Sequence, residues 1–298
     1  MTFRHFQIFI AVCDTMNMTA AARKLYMSQS AVSQAVGEME RHYDVRLFER
    51  LSKKLYLTQA GEQLIGYARH IIRVNLDAEQ NMRDLSENEV VRIGASVTIG
   101  TCVLPGLTSE IMRTYPQLTL KVEIGNTEQV KKLLFQDKLD IGLVEGDVDS
   151  EDLINSPFMR DNLVLICAKS HPFAMRSSIN SREMEQENFI LREVGSGTRK
   201  IFEDKMKEKQ LHWNCTWTCS NADSIKAAVA EGIGISVISK RYVTAEAEAG
   251  ILCMVDIDDL VFERDFKVIY HKNKYLTHSM NCFINVCNHR LARSHTVG

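Results

Sequence analysis

Apolar positions near the start of the chain recur at helical spacing. Phe6, Phe9, Ile10 and Cys13 share one face, which predicts a helix packed on that side. Residues 19–25 read as a short second helix, whose alanines Ala20, Ala21 and Ala22 let another helix approach closely. Tyr26 and Met27 turn the chain, and Ser28 is placed to cap a third helix over 28–42. That helix turns Ala31, Val32, Ala35, Val36 and Met39 inward, with Gln29, Ser30, Ser33 and Gln34 outward. Two short apolar stretches, 47–51 and 55–58, then flank the basic turn Ser52-Lys53-Lys54, the pattern of a β-hairpin.

Beyond Thr58 the period lengthens. Leu64, Ala68, Ile71, Asn75, Ala78, Met82 and Leu85 follow alternating steps of four and three, widened by Ile65, Ile72 and Leu76. This is a heptad seam on one long helix. It can serve self-association or packing on the chain's own body. From Val90 the pattern changes again. Strands are expected over 91–95, 118–124 and 139–144, with a helix running through Met112 and another over 130–135. A second α/β unit follows, with strands over 163–168, 189–192, 213–219 and 235–238 and a helix over 224–231. A late strand over 266–270 precedes a C-terminal helix. Strands alternating with helices imply a parallel sheet with crossover helices.

Charge changes this picture in one respect. The net charge is −2 over 298 residues, but residues 1–60 carry +3 and the rest −5 by the same count. A basic head on an acidic body points to an anionic partner for the head. Short polar side chains on an exposed helix face can hydrogen-bond base edges in a major groove. Arg50, Lys53 and Lys54 would meet phosphates, which add affinity but little sequence information.

Several functions are excluded or disfavoured. No apolar run is long enough to span a bilayer, and the first fifteen residues, with Arg4 and Asp14 and no small-residue cleavage site, do not read as a signal peptide. The expected compartment is the cytoplasm. The eight cysteines contain no CxxC. Cys215 and Cys219 lie on a strand, about 13 Å apart and too far for a disulfide, and buried packing thiols are expected. HExxH, GxSxG, GxGxxG and P-loop patterns are absent, so no enzyme, cofactor or metal is expected.

The head resembles the DNA-binding domain of LysR-type transcriptional regulators. The carrying residues are Phe6, Phe9 and Val12, then Met18-Thr19, Ala21-Ala22, Leu25 and Ser28-Gln29-Ser30-Ala31-Val32-Ser33. Glu40, Leu47-Phe48, Arg50, Leu57-Thr58 and Ala60-Gly61 continue the pattern. Met39 stands where the family usually has leucine, and Asp44 where it usually has glycine. The body matches the family's effector domain at Asp140-Ile141-Gly142-Leu143, His171-Pro172 and Ala228-Val229 through Gly232-Ile233-Gly234-Ile235. The resemblance implies a winged helix-turn-helix over 1–60, a linker and dimerisation helix over 61–88, and a two-lobed effector domain over 89–298. That domain is similar to type-2 periplasmic binding proteins: two Rossmann-like α/β lobes, one of 89–162 with 267–298, the other 163–266. Crossings are expected near Asp161 and Asp265.

The candidate DNA contacts are Thr19, Ser28, Gln29, Ser30, Ser33, Gln34, Arg50, Lys53 and Lys54, with double-stranded operator DNA as partner. Ligands of such sheets sit at the carboxyl ends of strands. Candidates there are Ser96 and Thr98 on one side, and Asn126, Thr127 and Glu145. Gly195, Ser196, Gly197, Thr198 and Arg199 face them. Their hydroxyls and amides suit a small anionic effector. Arg199 is the one full positive charge in that set, and Glu145 needs either Arg199 or a protonated ligand beside it. The resemblance also implies a homodimer through the linker helix and a homotetramer. A transporter's solute receptor or a cleft enzyme would explain the body but not residues 1–66.

Overall fold

The structure, a computed structural model, describes residues 1–52, 54–83, 90–146 and 148–294. The chain divides into two compact units, Met1–Glu87 with Phe135–Lys138 and Asn88–Leu134 with Leu139–Gly298. Among the described residues no helix is long and apolar enough to cross a membrane.

The first unit consists of α1 (Phe3–Thr15), α2 (Met18–Lys24), α3 (Gln29–Tyr43), the hairpin β1 (Phe48–Leu51) and β2 (Lys54–Leu57), and α4 (Gln59–Arg83). Side chains cap the second and third helices. Asn17 accepts from the amides of Thr19 and Ala20, and Ser28 from that of Ala31. The predicted apolar faces of α1 and α3 meet around Phe9, Val12, Val32 and Met39. Phe9 stacks edge-on against Phe48, with ring centroids 5.5 Å apart. Glu40 accepts the amides of Leu47 (2.8 Å) and Phe48 (3.2 Å), which ties α3 to the hairpin. Asp44 ends α3 in the left-handed region, φ 54°, the conformation that favours the family's usual glycine. A Cβ at Gly61 would lie 2.3 Å from the Leu47 carbonyl oxygen, so only glycine allows α4 to start there.

The heptad seam divides in two. Ala68 is buried, and Leu64, Ile65, Ile71 and Ile72 pack against the core of their own unit. Leu76, which widens the seam, is 48% exposed, and so in part is Val74, off the seam, at 38%. The seam position Leu85, and the 88/89 boundary, lie outside the described residues.

The second unit begins with β3 (Val90–Ser96), α5 (Val97–Cys102), α6 (Leu104–Thr114), β4 (Thr119–Gly125), α7 (Thr127–Phe135) and β5 (Ile141–Glu145). It continues with β6 (Leu153–Ala168), β7 (Ser178–Ile179), β8 (Asn188–Arg192), α8 (Gly197–Glu208), β9 (Asn214–Cys219), α9 (Ala222–Ala230) and β10 (Ser236–Ser239). It ends with α10 (Lys240–Glu248), β11 (Leu252–Ile257), β12 (Phe262–His271) and α11 (His278–Ser294). The single helix expected through Met112 is two, broken at Val103 just before Pro105, which lacks an amide proton and restricts the residue preceding it.

The sheet is mixed rather than parallel. Strands β3, β4 and β5 pair in parallel, as do β8 and β9. The long strands β6 and β12 pair antiparallel with each other, and β5, β10 and β11 join them antiparallel. Phe158 on β6 and Phe266 on β12 belong to one core. Leu163 and Leu165 on β6 and Phe262 on β12 belong to another. Both strands therefore pass from one lobe to the other, and Asp161 is paired with Arg264 in register at the crossing. The result is a helical N-terminal region with a hairpin wing, followed by a two-lobed α/β domain.

Candidate functional site

On the first unit the described side chains assigned to DNA are exposed on α2, α3 and the hairpin and on the turn before α3. Thr19, Ser28, Gln29, Ser30, Ser33 and Gln34 are all exposed, as are Arg50 and Lys54 on the hairpin. Lys53 lies outside the described residues. Three of these side chains are partly committed. Ser28 caps α3 and lies 3.0 Å from the Ser30 hydroxyl. Gln34 donates to Glu38 at 2.9 Å, and the other oxygen of Glu38 meets His5 Nε2. Gln29 and Ser33 thus form the more available part of the face. Tyr26, which the sequence pattern marks only as a turn, is 98% exposed in the left-handed region.

In the second unit, the turn before α7 meets the loop before α8. The Glu128 amide donates to the Gly195 carbonyl. A Cβ at Gly197 would stand 2.7 Å from the Glu145 carbonyl oxygen and 3.0 Å from Thr127 Oγ1. A cavity of about 270 Å³ opens here, lined by Thr127, Glu145, the loop from Gly195 to Gly197 and Arg199, and by Lys131 and Lys200 together with the acids Glu128, Asp149 and Glu203. Thr127 is buried, and its hydroxyl has no hydrogen-bond partner. Asn126 is not among the residues lining the cavity, and its side-chain oxygen accepts the Gln129 amide.

Beneath the cavity the polar side chains converge on Glu145. Ser96 donates its hydroxyl to Oε1 (2.9 Å), and so does the Thr98 amide (3.2 Å). The Thr198 hydroxyl donates to Oε2 (3.0 Å) and accepts from Arg264 Nη1 (2.9 Å). Arg264 Nη1 also donates to Glu145 Oε2 at 2.6 Å. The other side of this guanidinium holds Asp161, at 2.8 Å from Nε and 2.7 Å from Nη2. Ser239 donates to the remaining Asp161 oxygen at 2.7 Å. Burial by itself would push the Glu145 carboxyl up. The Arg264 charge, and then the bonds from Thr98 and Ser96, outweigh it and hold the group below its ordinary range.

Two expectations are corrected here. Arg199 does not pair with Glu145; it bonds Glu203 (2.7 Å) and the Arg192 carbonyl (3.1 Å). Nor is it the only positive charge nearby, because Arg264 lies buried beneath the cavity and reaches Glu145 directly. The cysteines are free thiols. Burial pushes Cys13 and Cys167 up to about 12, far from thiolate reactivity. Among the described residues no group of three or more His, Cys, Asp or Glu side chains could hold a metal.

Comparison with known proteins decides the family. The pattern described as bacterial regulatory helix-turn-helix protein, lysR family, matches residues 3–62. The pattern described as LysR substrate binding domain matches residues 86–292. This chain belongs to the LysR family of transcriptional regulators. The regulator YeiE of Escherichia coli K12 is 32% identical over 287 residues, covering 96% of this chain and 97% of its own. CysL of Bacillus subtilis is 30% identical over 281 residues, covering 93% and 94%. A full-length OxyR variant from Pseudomonas aeruginosa shares the fold, with TM-score 0.69 and 21% identity over 98% of this chain and 94% of that one. The regulatory domain of Synechocystis CcmR in complex with 2-PG gives TM-score 0.63 and 27% identity, over 68% and 97%. These relatives are regulators rather than enzymes, and this LysR-family member is a DNA-binding transcriptional regulator with an effector-binding domain.

The sequence pattern singles out neither Arg264 nor Ser239, and marks Asp161 only as a crossing point. A signal for Arg264 is present. Phe262, Arg264, Phe266 and Val268 alternate along β12 with Glu263, Asp265 and Lys267. An arginine at an inward position of a strand needs a buried acid.

Proposed function

We propose that this LysR-family protein reads operator DNA through Gln29, Ser30 and Ser33, with Thr19, Ser28 and Gln34 at the edge of that face. Arg50, Lys53 and Lys54 serve phosphates. The protein responds to a small anionic metabolite held in the cavity between the Asn126–Thr127 turn and the Gly195–Arg199 loop. The unpartnered Thr127 hydroxyl carries this reading, because a buried hydroxyl without a partner costs stability unless something else satisfies it. Two helix N-termini, those of α7 and α8, border the same space and favour negative charge. Ser96, Thr98, Thr198 and Glu145 make the floor rather than the walls. Binding between lobes joined by two crossing strands would alter their angle.

The same reading places the protein in the cytoplasm as a homodimer through α4, and as a homotetramer through its effector domains. The exposed Leu76 supports the helix pairing. Solved structures hold the CcmR regulatory domain in complex with 2-PG and the effector binding domain of QuiR, another protein of similar fold, in complex with shikimate, so both molecules join sulfate, phosphate and small dicarboxylates in the test panel. Calorimetric titration of the full-length protein should find at least one binder, and Thr127→Val should weaken it at least tenfold. Absence of any anion binding, or binding indifferent to Thr127→Val, overturns the proposal.

A further inference from the structure

The floor of the cavity is already an anion site, and its occupant is part of the chain. Both carboxylate oxygens of Glu145 accept two donors each: Ser96 Oγ and the Thr98 amide on one, Thr198 Oγ1 and Arg264 Nη1 on the other. The donors come from the end of β3, the start of α5, the start of α8 and the crossing strand β12. The side chains of Glu145 and Arg264 are 2% and 0% exposed. This is the donor set a bound oxyanion would want, preorganised and sealed from water.

Charge in this buried cluster leaves no room for a second anion. Arg264 faces two carboxylates, Glu145 and Asp161. Arg241 approaches Asp161 only at 3.4 Å, with its own side chain 42% exposed. Arg192, also buried, is engaged by Glu193 at 2.9 Å. Lys131 and Lys200 also line the cavity, but so do their acidic partners Glu128, at 3.1 Å, and Asp149, at 3.6 Å. An effector anion pushed against Glu145 would meet a like charge at low dielectric, with the nearest guanidinium already shared.

We propose that Glu145 is the specificity-determining residue of the effector site, a resident carboxylate that fills the inner cradle of Ser96, Thr98, Thr198 and Arg264. The effector's anionic group is confined to the Thr127 end of the cavity. Whatever group it sends inward is uncharged, since both Glu145 oxygens already hold two donors each. The preferred class is therefore a small monoanion whose inward end is uncharged, rather than a compact dianion or a dicarboxylate that spans the whole space. This rests on the effector reading above only for where the ligand sits. The cradle itself stands on its own geometry.

The test removes the resident anion and offers a replacement. Glu145→Ala in the full-length chain vacates the carboxylate position while keeping all four donors. Acetate, the truncated part of the side chain as a free ion, should then raise the melting temperature of the variant by several degrees at tens of millimolar. Chloride at equal ionic strength should not, and wild type should shift by less than a degree. A variant that folds only in acetate gives the same answer. If acetate and chloride act alike on Glu145→Ala, the cradle is not an anion site and the proposal fails.

Glu145→Gln covers the case in which the alanine variant folds in neither salt. With the negative charge gone, inorganic sulfate should bind at least tenfold more tightly than to wild type, and equal affinity overturns the proposal. Thr127→Val in the wild-type background separates the two readings. If it leaves anion binding untouched while acetate still rescues Glu145→Ala, the effector position is wrong and the Glu145 cradle stands.

Discussion

The exposed face of α3 and the buried cluster around Glu145 are both polar, and both are assigned to recognition. Water solvates Gln29, Ser30 and Ser33 until a partner arrives, so their polarity costs the fold nothing. Glu145, Asp161 and Arg264, at 0–2% side-chain exposure, must be satisfied inside the protein at all times. Substitutions on the first surface therefore separate function from folding. Substitutions in the second cannot, since every polar atom there is both a structural partner and part of the floor of the ligand space.

The sharpest break is Arg264→Met. It removes a guanidinium that faces two buried carboxylates, which should cost about 3–5 kcal/mol at pH 7 by urea denaturation of the full chain. A loss under about 1 kcal/mol would contradict the buried network. Acid should reverse the sign of the pH effect. In wild type the folded Glu145 carboxyl lies below its ordinary value of 4.5. Its contribution is complete above that value and is lost as pH falls through the depressed folded one. Without Arg264, burial dominates and the folded value rises. The variant's deficit should then shrink between pH 7 and pH 5, where that of an ordinary cavity mutant would not.

The opposite behaviour is expected on the reading face. Gln29→Ala combined with Ser33→Ala should weaken specific operator binding by about 1–3 kcal/mol, measured by fluorescence anisotropy. Unfolding free energy should stay within about 0.5 kcal/mol. Lys54→Ala sharpens the contrast within the same unit. It should weaken specific and non-specific DNA alike and flatten the log–log salt slope by about one. A double mutant with full operator affinity would remove the assignment.

The same contrast explains what the sequence disclosed. Phe6, Phe9, Val32 and Met39 show their helices by periodicity alone, because each helix has one buried side. The polar face follows as its complement. The long strand β6 was legible only over its last part. Pro157 and the run Arg160-Asp161-Asn162 interrupt its apolar pattern, and pairing with β12 carries it through them. A buried ion network looks like a loop when each partner is read alone. The heptad seam was ambiguous for a different reason. A stripe records that something covers it, not whose surface does, and Ile71 packs in its own unit while Leu76 does not. A charge placed at Leu76 therefore tests dimerisation more cleanly than one at Ile71.

The smallest expected effect bears most directly on whether the buried site is incomplete without a ligand. Thr127 Oγ1 is buried and unpartnered while the hydroxyls of Ser96, Thr198 and Ser239 are all engaged. Valine has nearly the same shape as threonine and lacks the hydroxyl. Where a threonine hydroxyl is satisfied, that exchange is destabilising, by about 1 kcal/mol for the lost hydrogen bond. Where it is buried and unsatisfied, the exchange removes a desolvation penalty of about 1–3 kcal/mol. Thr127→Val should therefore melt at least as high as wild type without effector, and lower than wild type once a saturating effector stabilises only the latter. A variant that melts several degrees low in both conditions would mean that the Thr127 hydroxyl already has a structural partner. The cavity would then lose the observation that marks it as a binding site.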